Sequence, residues 1–172
     1  MERTLVLLKP DAVQRGLVGR ILTRFEEKGL KIVALKLQRF PVALIQKHYE
    51  EHQKKPFFDD LVGFMTSGPA VALILEGKSA IEITRRLMGE TSAAKAAPGT
   101  IRGDFGMSFS NNLVHGSDGP ASAEREIQHF FPDKKEIADW TSATEGWVFG
   151  SEELGAKKDG LRPKTSIAHS KP

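Results

Sequence analysis

The stretch from Ala70 to Leu75 is entirely apolar and too short for a typical helix. A short apolar run of this kind is typical of a central strand in a sheet. A second run, Thr4 to Leu8, combines β-branched and aliphatic residues and ends at Lys9-Pro10, which predicts another buried strand. The chain must therefore be organised around a sheet.

The segment between these two strands shows a helical pattern and then a strand pattern. Apolar residues from Val13 to Phe25 fall on one face of a predicted helix, which Gly29 ends. Asp11 and Gln14 form a capping pair for the start of this helix. Residues 30–40 alternate between apolar and basic side chains, which indicates a strand with one face towards water.

The pattern after residue 40 is predominantly helical, with one long interruption. In order, it predicts two short helices over 42–65 broken at Pro56, a helix with a Ser79–Glu82 capping box, an aperiodic stretch over 89–112, a strand at Leu113–His115, a helix with Pro120 in its first turn, and a short helix over 134–139.

The resulting order, β-α-β-(αα)-β-α-loop-β-α, interleaves two βαβ units. It predicts the ferredoxin-like α+β fold, a βαββαβ sandwich in which helices pack on one face of a four-stranded antiparallel sheet. We expect one domain over residues 1–150. The glycine-, lysine- and proline-punctuated residues 151–172 read as a C-terminal extension without a core of its own.

The composition and the distribution of charge indicate which kinds of partner and which cellular compartment to expect. Residues 152–172 contain five basic and three acidic side chains, so they carry +2 of the total charge of +3. The body is nearly neutral, and we expect no dedicated nucleic-acid partner. The chain has no cysteine and no apolar run long enough to span a bilayer. These features favour a cytoplasmic protein without a membrane partner.

One histidine stands out because of its position. His115 ends a short apolar run and is followed at once by Gly116, Ser117 and Asp118. Unprotonated imidazole is a competent nucleophile near neutral pH, and backbone N–H groups at a strand-to-helix transition attract anions. Taken alone, such a histidine is more often a surface or capping residue. The pair His48 and His52 lacks the glutamate of a zinc-protease motif, and we interpret it as a solvated helix face.

Basic and hydroxyl residues follow several of the predicted elements. Lys9 follows the first strand, Arg85 lies in a helix with Thr91 after it, and Arg102 lies in the long aperiodic stretch. Residues at the ends of elements on one rim of a sheet converge, and this set of donors suits a polyphosphate. Together with a histidine they indicate phosphoryl transfer, although no P-loop or dinucleotide fingerprint is present.

Five separate motifs follow one another along the chain: Lys9–Gly16 (KPDAVQRG), Pro56–Phe58 (PFF), Gly89–Thr91 (GET), Pro98–Asp104 (PGTIRGD) and Asn112–Asp118 (NLVHGSD). Through these motifs the chain, from Glu2 to Phe149, resembles the nucleoside diphosphate kinase family. Three features depart from the family pattern: Ala12 replaces a usual glycine, the tail is longer, and the segment 106–111 differs, which we interpret as scaffold.

The resemblance implies a ping-pong transfer of the γ-phosphate from a nucleoside triphosphate to a nucleoside diphosphate, carried by a phosphohistidine at His115. Glu126 would accept a hydrogen bond from Nδ1 of His115 and leave Nε2 free to attack. Tyr49 would lie beside the histidine, although a half-buried aromatic without a catalytic role is an alternative.

The resemblance also implies the nucleotide contacts. Arg85, Thr91 and Arg102 would hold the phosphates, while Lys9 and Asn112 would bind the ribose hydroxyls, with Lys9 also near the transferred phosphate. Phe57 would stack on the base, and Leu61 would contact its other parts. Stacking does not read the hydrogen-bonding edge of a base, so broad nucleotide specificity is expected.

Magnesium and assembly complete what the resemblance implies. Mg²⁺ would arrive bound to the nucleotide, with no direct protein ligand; Asp118 would reach it through water or instead cap the following helix. Family members assemble as tetramers or hexamers, and the longer tail leaves both homo-oligomers open here.

Two other functions are compatible with parts of the sequence. The βαββαβ order also serves RNA-binding domains, but these strands lack interleaved exposed aromatic residues. A catalytically silent homologue is the second alternative, and it is disfavoured because every expected site residue is present.

Overall fold

The computed structural model describes residues 1–154 of the chain. Its four strands are β1 (Glu2–Leu8), β2 (Lys31–Gln38), β3 (Ala70–Gly77) and β4 (Val114–Gly116). They form one sheet in the order β2-β3-β1-β4, and all three neighbouring pairs are antiparallel. The predicted ferredoxin-like α+β fold is confirmed, and the apolar run from Ala70 is a central strand.

Nine helices accompany the sheet within residues 1–154, together with 3₁₀ turns at Glu50–His52 and Lys134–Glu136. Residues Met1–Asp139 form one compact unit, and a second unit begins at Trp140. The helices are α1 (Pro10–Gln14), α2 (Val18–Glu27), α3 (Val42–His48), α4 (Phe58–Thr66), α5 (Ala80–Met88), α6 (Ile101–Phe105), α7 (Pro120–Phe130), α8 (Glu145–Val148) and α9 (Ser151–Leu154).

Helices cover both faces of the sheet, so the prediction of helices on one face was wrong. Leu5 and Leu7 of β1 belong to an apolar cluster with residues of α3, α4 and α7. Val6 and Leu8 belong to a second cluster with residues of α2 and α5. Because side chains alternate along a strand, an apolar residue at every position requires a cover on each face.

The first predicted helix is divided into two. Gly16 adopts φ +65° between α1 and α2, a conformation that glycine reaches without strain. Asp11 does not cap a helix with Gln14; its carboxylate accepts a hydrogen bond of 3.1 Å from the backbone N–H of Leu113. This contact ties α1 to the residue that precedes β4.

The predicted capping box of α5 is also absent. Ser79 has φ +49° and makes no side-chain cap, and Glu2 instead accepts a hydrogen bond of 2.9 Å from the N–H of Ile81. The aperiodic stretch over 89–112 contains a helix, α6, whose first residue follows the capping side chain of Thr100. The helix predicted over 134–139 is only the 3₁₀ turn at 134–136.

Two helical glycines offer a matched test of packing around α6. A Cβ added to Gly103 would overlap the carbonyl oxygen of Ala97, whereas a Cβ on Gly63 of α4 would meet nothing within 4 Å. We expect Gly103→Ala to lower the free energy of unfolding by about 2–4 kcal/mol. We expect Gly63→Ala to raise it by roughly 0.5–1 kcal/mol. Urea denaturation measures both, and equal effects at the two positions would contradict the packing described for α6.

Candidate active site

A cavity of about 1250 Å³ opens beside the sheet, where β1 ends and β4 begins. Its volume is sufficient for a nucleotide, since pockets for drug-sized ligands have roughly 300–1,000 Å³. The structure brings every residue predicted for the site into the lining of this one cavity: Lys9, Tyr49, Phe57, Leu61, Arg85, Thr91, Arg102, Asn112, His115, Asp118 and Glu126.

The imidazole of His115 is held by α7. Its Nε2 lies 3.0 Å from Oε2 of Glu126, and its side chain is 23% exposed. The prediction that Nδ1 makes this contact was wrong. Nε2 is the ring nitrogen farther from the backbone, and it is the one that reaches α7. Among the described residues, Nδ1 has no hydrogen-bond partner.

Glu126 is oriented by a residue that the sequence analysis did not assign. The hydroxyl of Ser117 donates a hydrogen bond of 2.7 Å to Oε2 of Glu126 and accepts one from the backbone N–H of Leu5. Burial raises the pKa of the Glu126 carboxyl, but the hydrogen bond and charge of His115, together with Ser117, lower it on balance. The carboxylate is therefore ionised at neutral pH and accepts two hydrogen bonds. The alternation of side chains along extended chain, which puts residues 115 and 117 on one side, was the available signal.

His48 packs against the ring of His115, so the solvated-face interpretation was wrong for it. The two ring centroids lie 4.6 Å apart at an interplanar angle of 86°, and His48 is only 6% exposed. Burial, followed by the nearby His115, lowers the pKa of His48 to about 3, so its ring is neutral. The cause of its burial is that α3 packs this side chain against Phe130 of α7.

Tyr49 lies beside the histidine as predicted, with its ring centroid 6.2 Å from that of His115. It is buried, and its hydroxyl has no hydrogen-bond partner among the described residues. Burial raises the pKa of this hydroxyl, so it stays protonated.

Lys9 and Asn112 form a connected pair at the end of β1. The Nζ of Lys9 donates a hydrogen bond of 2.7 Å to Oδ1 of Asn112, whose Nδ2 donates to the carbonyl of Thr91 at 3.1 Å. Burial and the charge of Arg102 lower the pKa of Lys9 to about 8. The ammonium is therefore charged at neutral pH but close to losing its proton.

Arg102 is fixed by backbone carbonyl oxygens. Its Nη1 and Nη2 each donate a hydrogen bond of 2.7 Å, to Gly89 and Val114, and its Nε donates to Asn112 at 3.2 Å. Burial, followed by Arg85, lowers the pKa of Arg102 to about 10, and the guanidinium remains charged at neutral pH. Because the guanidinium is already held in place and has further N–H groups, it can donate hydrogen bonds to an anionic oxygen without a loss of side-chain entropy.

Phe57 and Phe58, although adjacent in sequence, lie in different environments. Phe58 is buried in the core, whereas Phe57 is half exposed at the edge of the cavity with Leu61 one turn further along α4. The segment 106–111, which we interpreted as scaffold, reaches the same cavity, because Phe109 is 68% exposed and lines it.

Asp118 lies exposed at the start of α7 and lines the cavity. Its Oδ1 accepts a hydrogen bond of 2.5 Å from the hydroxyl of Ser122, and this hydrogen bond is the main cause of its lowered pKa. Asp118 thus contacts the first turn of α7 and also presents an ionised carboxylate to the cavity.

None of the helices within residues 1–154 has the length and apolar character needed to cross a membrane.

Comparisons with known proteins agree with this geometry. The sequence profile of the nucleoside diphosphate kinase family matches residues 2–136. The chain is 56% identical to a nucleoside diphosphate kinase of Archaeoglobus fulgidus over 149 residues, which are 87% of this chain and 98% of that protein.

Solved structures are similar along the same length. A halophilic nucleoside diphosphate kinase of Halobacterium salinarum in complex with CDP is 53% identical with a TM-score of 0.84, over 86% of this chain and 98% of that one. A family protein of Babesia bovis is 46% identical with a TM-score of 0.84, over 87% of this chain and 100% of that one. The chain belongs to the nucleoside diphosphate kinase family.

Proposed function

We propose that this enzyme transfers the γ-phosphate of a nucleoside triphosphate to a nucleoside diphosphate in two steps, with Nδ1 of His115 as the carrier. The observation that supports this most directly is the contact between Nε2 of His115 and the ionised Glu126. A carboxylate acceptor keeps the single proton of a neutral imidazole on Nε2, and the lone pair is then on Nδ1.

In the first step Nδ1 attacks the γ-phosphorus of the donor, the bond to the bridging oxygen breaks, and the diphosphate leaves. In the second step a terminal oxygen of the acceptor diphosphate attacks the same phosphorus, and the P–N bond breaks. The Nε2 proton stays on the ring in both steps. Glu126 balances the positive charge that the phosphorylated ring carries.

The cations of the site support charge stabilisation in a loose phosphoryl-transfer transition state. Arg102 is held by three carbonyl oxygens and needs no reorganisation, while Arg85 and Thr91 lie in the same lining. We assign the ribose hydroxyls to the pair Lys9 and Asn112, with Lys9 also near the transferred phosphate.

We assign the base to the exposed ring of Phe57, with Leu61 beside it. Stacking uses the π-face that every base shares, so the enzyme accepts several nucleotides and balances their pools. The Halobacterium relative, solved in complex with CDP, supports a nucleotide in a site of this kind.

We further propose that Mg²⁺ enters with the nucleotide. The ionised carboxylate of Asp118 in the cavity lining suits this ion, which prefers oxygen ligands and retains water molecules. Asp118 would hold it through water, and the bound ion would neutralise phosphate charge.

We also propose a cytoplasmic homo-oligomer, a tetramer or hexamer, in which residues 1–150 are the catalytic domain and 151–172 an extension. The half-exposed Leu35 and Leu37 on the edge strand β2 support association, because apolar edges are usually covered. Light scattering on the full chain and on a chain without residues 151–172 would give the subunit number of each.

Labelling with γ-labelled ATP tests the reaction itself. We expect a labelled enzyme whose label is lost in acid, survives alkali and moves to GTP when GDP is added. If label never appears, or if GDP fails to remove it, the two-step transfer is wrong.

The pH dependence tests the charge of Lys9. Because its pKa is about 8, the side chain loses its proton as the pH rises through 8, and kcat/KM should fall there. Lys9→Met should lower kcat/KM at pH 7 by about 10²-fold and remove this decline. Lys95 is an exposed lysine of the same cavity, and Lys95→Met should keep the fall of kcat/KM above pH 8. If the Lys95→Met variant lost this fall, the assignment of the pH dependence to Lys9 would be contradicted.

A further inference from the structure

Three potential metal ligands meet beside the proposed nucleophile. One ring nitrogen each from His48 and His115 and a carboxylate oxygen of Glu126 all lie within 4.8 Å of one another. Neither ring nitrogen of His48 has a hydrogen-bond partner among the described residues, although this residue is only 6% exposed. A buried polar group without a partner is costly, so this imidazole is available as a ligand.

We propose that His48, His115 and Glu126 form an inhibitory Zn²⁺ site. Two imidazole nitrogens and one carboxylate oxygen are a common zinc ligand set, and the fourth position is then taken by water or substrate. All three residues line the cavity, so that fourth position is open to solvent.

The spacing of the three groups suits tetrahedral zinc. Ligands about 2.1 Å from zinc lie roughly 3.3 Å from each other. Nε2 of His115 and Oε2 of Glu126 are already 3.0 Å apart. The His48 nitrogen would need to approach by roughly 1.5 Å or less. Mg²⁺ would not compete, because it prefers oxygen ligands in octahedral geometry.

Zinc at this site would remove the nucleophile, an effect that rests on the proposed function of His115. The metal takes the lone pair of Nε2, so the single proton of the neutral ring moves from Nε2 to Nδ1. Nδ1 then has no lone pair with which to attack phosphorus. The ring gains and loses no proton overall, and removal of zinc restores the reactive tautomer.

Metal binding is measured first, without reference to activity. The full-length, metal-free enzyme is titrated with Zn²⁺ by calorimetry and with Co²⁺ by visible absorption, which is intense for tetrahedral Co²⁺. We expect one site per chain. His48→Phe keeps a ring against Phe130 and should weaken binding at least tenfold; His48→Gln repeats the test if that variant does not fold. The controls His129→Gln and His169→Gln should bind as the unchanged protein does.

Inhibition is measured next, at buffered free Zn²⁺ and with each variant compared with its own metal-free rate. We expect saturating Zn²⁺ to lower exchange at least tenfold, a chelator to restore it, and His48→Phe to raise the inhibitory concentration at least tenfold.

Absence of tetrahedral Co²⁺ absorption, zinc binding that His48→Phe leaves unchanged, or binding without inhibition overturns the zinc site. If metal binds but the metal-free enzyme forms no phosphoenzyme, the site remains and the proposed function fails.

Discussion

Replacement of His115 by alanine is expected to abolish the phosphoenzyme and to lower nucleotide exchange by more than about 10³-fold. The two rings that pack beside it are not placed to take its role. His48 is 6% exposed and Tyr49 is held protonated by burial. The measurement is label transfer from γ-labelled ATP together with the rate of GTP formation from ATP and GDP.

The control for this substitution is His129→Ala on α7. His129 lies outside the cavity lining, so this variant should label and turn over like the unchanged enzyme. Labelling of the His115→Ala variant at a normal rate would show that another residue carries the phosphate.

The strands were predictable because their pattern is local. Leu5 to Leu8 of β1 and Ala70 to Leu75 of β3 are apolar at every position, and this continuity indicates central strands. Apolar residues at successive positions of a strand also require helices on both faces of the sheet. The prediction of helices on one face did not take this into account. Helix boundaries were less predictable, since Asp11 and Glu2 act on residues distant in sequence rather than as local caps.

The residues that line the site could be predicted from sequence motifs, but the contacts among them could not. The resemblance to the family paired Glu126 with His115. Which ring nitrogen faces Glu126 depends on how β4 and α7 are packed, and spacing does not encode it. His48 was misassigned for a similar reason. Polar neighbours surround it in sequence, and only the packing of α3 against α7 buries it.

The segment 106–111, one of the departures from the family pattern, could not be placed from the sequence. The segment 106–111 has no periodicity, so it offered no structural prediction beyond scaffold. In the structure Phe109 lines the cavity together with Phe57, a proximity that depends on how this segment folds back and not on any local pattern.

Glu126→Ala is expected to lower turnover by about 10²–10³-fold, because nothing then holds the proton on Nε2 of His115. Glu126→Gln should lose only about tenfold, since its amide oxygen can still accept from both the imidazole and the Ser117 hydroxyl. The exposed Glu124 of the same helix provides the control, and Glu124→Ala should leave the rate unchanged.

Nitrogen NMR of His115 gives the readout that a merely structural role of Glu126 would not change. In the unchanged enzyme the ring should carry its proton on Nε2 and, after reaction with ATP, its phosphate on Nδ1. Glu126→Ala should populate the tautomer with the proton on Nδ1, which cannot attack, and the loss of rate should follow that population. A phosphate found on Nε2, or a Glu126→Ala variant that keeps both its tautomer and its rate, would refute the role proposed for this carboxylate.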